Sequence, residues 1–217
     1  VSKFRRFHIK TIRQSLNAVR KIFPQLNERL TRKREELTAG IIRNIMDAYE
    51  YLNGLLDKDI DIFSPAGLYS ILELNHIVLC GTDEDQRAEY HRHIMETRRR
   101  FQDNIEPIMK WYGKAKKKAR PYLIATGFYA RALSQPQLFI EGNHRTENIV
   151  INYILLSYQE PPLIISPENA YEYFEASGNI KLGNKKSVTS NVFYVGKRMN
   201  IFHDVMKQYV DDRFLDD

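Results

Sequence analysis

A mainly α-helical fold is predicted by three features of the sequence. Apolar residues recur at steps of three and four along most of the chain, proline and capping residues stand where those periodic stretches begin, and strand-like alternation is scarce. Only Pro162 to Ile165 and Val192 to Val195 read as extended pieces, which allows at most one short β element.

The first helix is marked by Ile9, Ile12, Leu16, Val19 and Phe23 and is expected to end before Pro24, since a proline ring removes an amide donor and crowds the preceding turn. Arg5, Arg6, Lys10, Arg13 and Arg20 decorate it. A second helical stretch is expected from about Gln25 to Leu56, with Ile41, Ile45, Tyr49, Leu52 and Leu56 as its apolar stripe and Gly40 as a candidate break. Ser64-Pro65 reads as the next start, because Ser caps free amides and Pro tolerates the first helical position; its apolar run closes at Gly81.

Thr82-Asp-Glu-Asp85 reads as another start, leading into a charged stretch to Phe101, and Asp103 to Lys118 is expected to be helical again. Pro121 opens a helix through Leu133, the loop Ser134 to Glu141 follows, and a further helix is expected from Gly142 to about Tyr158. Pro161 and Pro162 force extended chain, after which Ser166-Pro167-Glu168 begins a short helix stopping near Ser177-Gly178. A Gly/Asn/Lys-rich loop separates it from a last helix, about Arg198 to Phe214, expected to bury Phe202, Val205, Met206, Tyr209 and Val210. Residues 1–60 read as basic N-terminal helices, either separate or integral to the fold, and 61–217 as the principal domain.

Composition narrows the function classes. At 217 residues and 43% hydrophobic content the chain is long enough for a full core. No apolar run approaches the roughly 20 residues that span a bilayer, and Val1 to Ile22 is basic and amphipathic, unlike a signal peptide. The expectation is a cytoplasmic protein, with a delivered effector as the alternative. A single cysteine, Cys80, excludes an internal disulfide and a cysteine zinc site, and its apolar neighbours Ile77-Val-Leu mark it as a buried, inert thiol. Eleven Lys/Arg against three Glu within residues 1–40 concentrate the charge of +6 at the N-terminal side, suited to nucleic acid, an acidic protein or anionic lipid, or simply to solvent.

The loop before the Gly142 helix concentrates the chemistry. Helix starts present free N–H groups and the positive end of the helix dipole, so they accept anions, and Gly142 lets a phosphate approach closely. Arg145 adds a forked donor for phosphate oxygens, and Glu141 offers the hard oxygen that holds Mg²⁺ against a polyphosphate. The same residues also make ordinary turn chemistry with an Arg145–Glu141 pair.

Phe139-Ile-Glu-Gly-Asn-His-Arg145 resembles the second half of the Fic/Doc family motif His-Pro-Phe-x-(Asp/Glu)-Gly-Asn-x-Arg. Phe139, Gly142, Asn143 and Arg145 agree in register, along with the acidic Glu141. The flanking helices Tyr122 to Leu133 and Thr146 to Leu156, the run Ile71-Leu-Glu-Leu-Asn-His76, and Pro161-Pro-Leu-Ile-Ile-Ser166 with Tyr171-Glu-Tyr-Phe174 are similar to the family's surrounding segments, so the resemblance covers residues 64–215. It implies a Fic-type helical bundle, or Fido domain, over 61–217.

In that family the helix start binds the phosphates of ATP, the acidic residue holds Mg²⁺, and the motif His takes a proton from a target protein's hydroxyl so that AMP moves onto the protein. The resemblance thus implies phosphate contacts for Gly142, Asn143, His144, Arg145 and Asn148, Mg²⁺ at Glu141, and catalytic positions at Gln137, Asn143 and Arg145. Three of those positions depart from the adenylylating pattern. Gln137 stands where the His is expected, and a carboxamide has no protonation equilibrium near neutral pH. His144 replaces the second Gly, as a bulky residue does in the phosphate-transferring Doc branch, and Asn148 replaces the final Arg.

The sequence lacks the family's inhibitory pattern (Ser/Thr)-x-x-x-Glu-(Gly/Asn). His91-x-His93 places its rings on different helix faces, a poor metal site, and Lys114-Ala-Lys-Lys-Lys-Ala-Arg120 beside Trp111 and Tyr112 raises nucleic-acid binding as a third function class. The leading expectation is a nucleotide-binding relative of the protein adenylyltransferases with lost or altered catalysis. A silent module that grips a target protein through the N-terminal helices and the arginine-rich stretch 82–102 is the alternative.

Overall fold

Pro24 does not stop the first helix. In the computed structural model, which describes residues 5–118, 120–183 and 194–216, α1 runs over Ile9–Arg29 with Pro24 inside it. A proline in a helix interior costs about 3 kcal/mol, but burying a large apolar side chain returns about 1.5–3 kcal/mol, and Phe23 and Leu26 on either side of it are both buried against Val19 and Ala170. The ring itself lies on the exposed side. Residues 30–38 then form an irregular strap in place of the expected continuous helix. Thr38, whose hydroxyl accepts from the Ile41 N–H, caps α2 over Ala39–Asp57, so Gly40 lies in its first turn and breaks nothing.

Helix α3, Tyr69–Cys80, begins later than Ser64-Pro65. The Ser64 hydroxyl donates to the Asp61 carbonyl at 2.7 Å and accepts from the Gly67 N–H at 3.0 Å, so these residues build a turn ahead of the helix. Gly81, at φ 68°, closes α3, and Asp83 caps the short α4, Glu84–Glu89. The charged stretch and Asp103 to Lys118 form one helix, α5, His91–Lys116, despite Pro107. The reason is a single buried stripe, Thr97, Phe101, Ile105, Ile108 and Tyr112, which keeps helical spacing across the expected break.

Helix α6, Pro121–Leu133, has the expected bounds, and α7, Asn143–Ser157, follows the loop. Pro162 to Ile165 is extended but not a strand, because Leu163 has its N–H and C=O bonded by side chains of α7: Asn152 accepts at 2.8 Å and donates at 3.1 Å, and Asn148 donates at 3.3 Å. Helix α8, Ala170–Lys181, passes through Ser177-Gly178 without stopping. A Cβ at Gly178 would stand 2.8 Å from the Arg34 guanidinium, so this glycine serves a close approach, not a helix end.

Helix α9, Tyr194–Tyr209, starts earlier than expected and takes Tyr194-Val195 into its first turn, while Val192 lies outside the described residues. Phe202, Val205 and Met206 are buried as expected, Tyr209 and Val210 only partly, and Phe214 is buried in a 3-10 turn, Asp212–Phe214.

Among the described residues the fold is therefore mainly α, and its β structure is one isolated bridge, Phe7 to Leu215. Helix α7 is buried on nearly all sides and packs most extensively on α6, forming the centre of the molecule. Phe7, Ile12 and Leu16 at the N-terminal side and Met46 on α2 join the same apolar cluster as Phe139, Ile154 and Phe202. No helix among the described residues is long and apolar enough to cross a membrane.

Candidate functional site

The loop between α6 and α7 is clamped from beneath. Leu138 and Phe139 are fully buried, the Leu138 N–H donates to the Ala132 carbonyl at 2.9 Å, and the Phe139 ring stacks on Phe101 of α5 with centroids 5.8 Å apart. Gln137 is only 8% exposed, and its carbonyl accepts from the Arg100 guanidinium at 3.1 Å. Gln137 is thus held under α5 and has no titrating group.

Asn143 completes the clamp. Its amide oxygen accepts from the Phe139 N–H at 2.9 Å and its amide nitrogen donates to the Phe139 carbonyl at 3.1 Å, so the side chain is spent on the loop. Gly142 sits at φ 71°, the left-handed region, and a Cβ there would stand 3.0 Å from the Asn75 amide nitrogen and 3.3 Å from Leu79. That Asn75 nitrogen donates to the Glu141 carbonyl at 2.9 Å and to the Thr146 hydroxyl at 3.0 Å, tying the start of α7 to α3.

His144 is not the solvent-facing ring that a helix start suggests. Its Nε2 lies 2.9 Å from Arg34 Nη1, which can only donate, so the ring proton belongs on Nδ1, 3.1 Å from the Tyr129 hydroxyl. Tyr129 in turn meets the Tyr173 hydroxyl at 3.2 Å. Burial first, and then the charges of Arg34, Lys181 and Arg145, hold the imidazole well below its usual pKa, so it is neutral. Burial likewise raises Tyr129 well above the usual phenol range.

Arg34 comes from the strap at 30–38. Its second guanidinium nitrogen donates to the Phe174 carbonyl at 2.6 Å and the Ser177 hydroxyl at 3.1 Å, while Asn27 grips the Arg34 backbone from both sides. The next residue, Glu35, sits 3.3 Å from Arg145, so an acidic side chain meets the guanidinium beside the start of α7. Arg145 is 23% exposed, Glu35 72%, and an exposed pair of this kind is worth only about 0–1 kcal/mol. Burial lowers the Arg145 pKa, against the pull of Glu35 and Glu141, and the guanidinium stays charged.

Asn148 donates to the Leu163 carbonyl at 3.3 Å. Glu141 is exposed beside Arg145. No group of three or more His, Cys, Asp or Glu is placed to hold a metal among the described residues, so Mg²⁺ at Glu141 would take its remaining ligands from phosphate and water. The cavity lined by His144, Arg145, Asn148 and Tyr173 measures about 60 Å³, against about 300–1,000 Å³ for small-molecule sites, so a nucleotide would have to lie outside it, across the end of α7.

The other sequence candidates separate. His91 is exposed while His93 is partly buried with its ring 6.3 Å from Tyr90. Beside the lysine run, Tyr112 is buried and Arg131 lies 4.0 Å over Trp111, so neither ring offers an open face to a base. The Cys80 thiol is buried, donates to the His76 carbonyl at 3.1 Å, and has its pKa raised by that burial. Comparison of the chain with protein-family models, curated proteins and solved structures found no match. Asn75, Arg34, Tyr129 and Tyr173 escaped the sequence reading as site residues, since nothing in their local patterns marks them.

Proposed function

We propose that the chain is a Fic-like helical protein that binds a phosphate compound, ATP with Mg²⁺ being the first to test, across the amino end of α7, and that it transfers AMP to a target protein poorly or not at all. The observation behind this reading is electrostatic. Arg34, Lys181 and Arg145 all act on one imidazole at the positive end of α7, next to a left-handed glycine and the first backbone amides of that helix. Phosphate would replace Glu35 at Arg145, a weak exposed competitor.

Neither Gln137 nor His144 is suited to act as the base. Gln137 cannot accept the proton, and His144 has both ring nitrogens engaged. When bound, Mg²⁺ would neutralise phosphate charge, and Glu141 would hold it, as the resemblance implies. General-base catalysis contributes about 10²–10⁴-fold, which is the rate deficit expected for transfer. Calorimetric titration with ATP and Mg²⁺ should give measurable heat that Arg145→Ala abolishes; no heat at millimolar ligand would defeat the binding reading. Labelled ATP with candidate targets should reveal AMP transfer by Gln137→His above that of the parent, and equal transfer by both would require another base.

A catalytically silent Fic-like interaction module is the second reading. It is favoured by the internal hydrogen bonds of Asn143, His144 and Asn148, which leave few site side chains for a ligand.

A further inference from the structure

The outer face of α5 has no role in the site just described, yet it gathers the features of a docking surface. His91, Met95, Arg98 and Gln102 recur at helical spacing, with Arg92 and Arg99 beside them, and all six are exposed. Across from them on α3, Tyr69 is 49% exposed, and Met95 is 48% exposed. The Arg98 guanidinium lies 5.6 Å over the Tyr69 ring, and Gln102 donates to the Tyr69 hydroxyl at 3.0 Å, so the patch is ordered by its own contacts. Residues 91–102 hold four arginines against one glutamate, and that glutamate is taken by Arg92 at 3.0 Å. Among the described residues, Arg98 and Arg99 meet no carboxylate within salt-bridge distance.

We infer that this stripe docks an acidic amphipathic segment of a partner protein, whose carboxylates meet Arg98 and Arg99 while an apolar side chain covers Met95 and the edge of Tyr69. Charge complementarity chooses the sign of the partner, and the rings choose its class. Tyr69 is covered by Arg98 and packs against Phe101 at 6.3 Å, leaving poor access for a stacked base, whereas exposed Met, Tyr and Arg together are the composition of protein interfaces. From His91 to Gln102 the stripe runs for about 16 Å, three turns of a facing helix. The surface also abuts the loop at 137–139, because Arg100 and Phe101 of the same helix hold Gln137 and Phe139.

Fluorescence anisotropy can test this on the full chain. The probe is a fluorescein-labelled synthetic helix with glutamates on one strip and leucines beside it, compared with a single-stranded oligonucleotide of equal charge. The peptide should bind the parent more tightly than the oligonucleotide does. Arg98→Glu with Arg99→Glu should weaken peptide binding by about tenfold or more, and Met95→Ser by about three- to tenfold. Arg13→Glu with Arg20→Glu on α1 should change it less than about twofold, and all variants should melt with the parent because the altered residues are exposed. Absence of peptide binding, peptide binding that survives reversal at Arg98 and Arg99, an equal loss from the α1 variant, or tighter binding of the oligonucleotide would each overturn the inference.

Discussion

Replacing Asn143 with alanine separates two roles that a motif residue can have. In the structure the side chain makes two hydrogen bonds to one residue, with the Phe139 N–H at 2.9 Å and the Phe139 carbonyl at 3.1 Å, and Phe139 is fully buried. Alanine would strand both backbone groups away from water. A buried group left unpaired costs about 1–3 kcal/mol, so the pair should cost about 2–5 kcal/mol of stability. For a chain of this size each kcal/mol moves the melting temperature by about 2–4 °C, giving an expected fall of about 5–15 °C by scanning calorimetry. Asn143→Asp keeps the acceptor for the N–H but loses the donor for the carbonyl, so its loss should be smaller than that of alanine near neutral pH. A fall below about 2 °C in Asn143→Ala, with ATP affinity abolished, would refute the clamp and assign the side chain to the ligand.

Gly142→Ala should destabilise by about 1–2 kcal/mol from the left-handed backbone alone, and by more if Asn75 cannot yield to the new Cβ; urea unfolding measures it. Stability should also fall on acidification below about pH 6.5, because the unfolded chain gains a proton on His144 that the folded chain, with its depressed pKa, does not take up. The expected slope from this group is about 1.4 kcal/mol per pH unit, declining once the folded imidazole itself titrates. His144→Gln should flatten that part of the profile, and an unchanged slope would mean the ring is not held neutral.

Much of the helical fold was legible because local signals agreed with burial. Pro121 and Ser134 bound α6 as read, since proline at a first helical position and the extended Ser134 obey local rules. Pro24 and Gly178 misled for the opposite reason: burial on both sides of the proline, and a close approach by Arg34, outweighed local propensity. The site divides in the same way. Gly142 to Arg145 is contiguous and could be read as a helix start. The partner of His144 lies 110 residues away and reaches it from an irregular strap, a juxtaposition that no periodicity encodes. Gln137 could be recognised as a lost base, but not as a residue whose carbonyl is tied to α5.

The asparagine clasp on Leu163 has a consequence for how the chain tolerates insertion. Asn152 grips the N–H and the C=O of one residue, so it works as a length gauge for the connection from α7 to α8. Adding or deleting one residue between Ser157 and Leu163 would present a different backbone unit to that fixed amide. Pro161 and Pro162 immediately before it have no N–H to offer in exchange. A strand in a sheet can slip and find new partners, whereas this segment has one seat, and the spacing of α8 from α7 along the chain is set by Asn152 with Asn148 beside it on the Leu163 carbonyl.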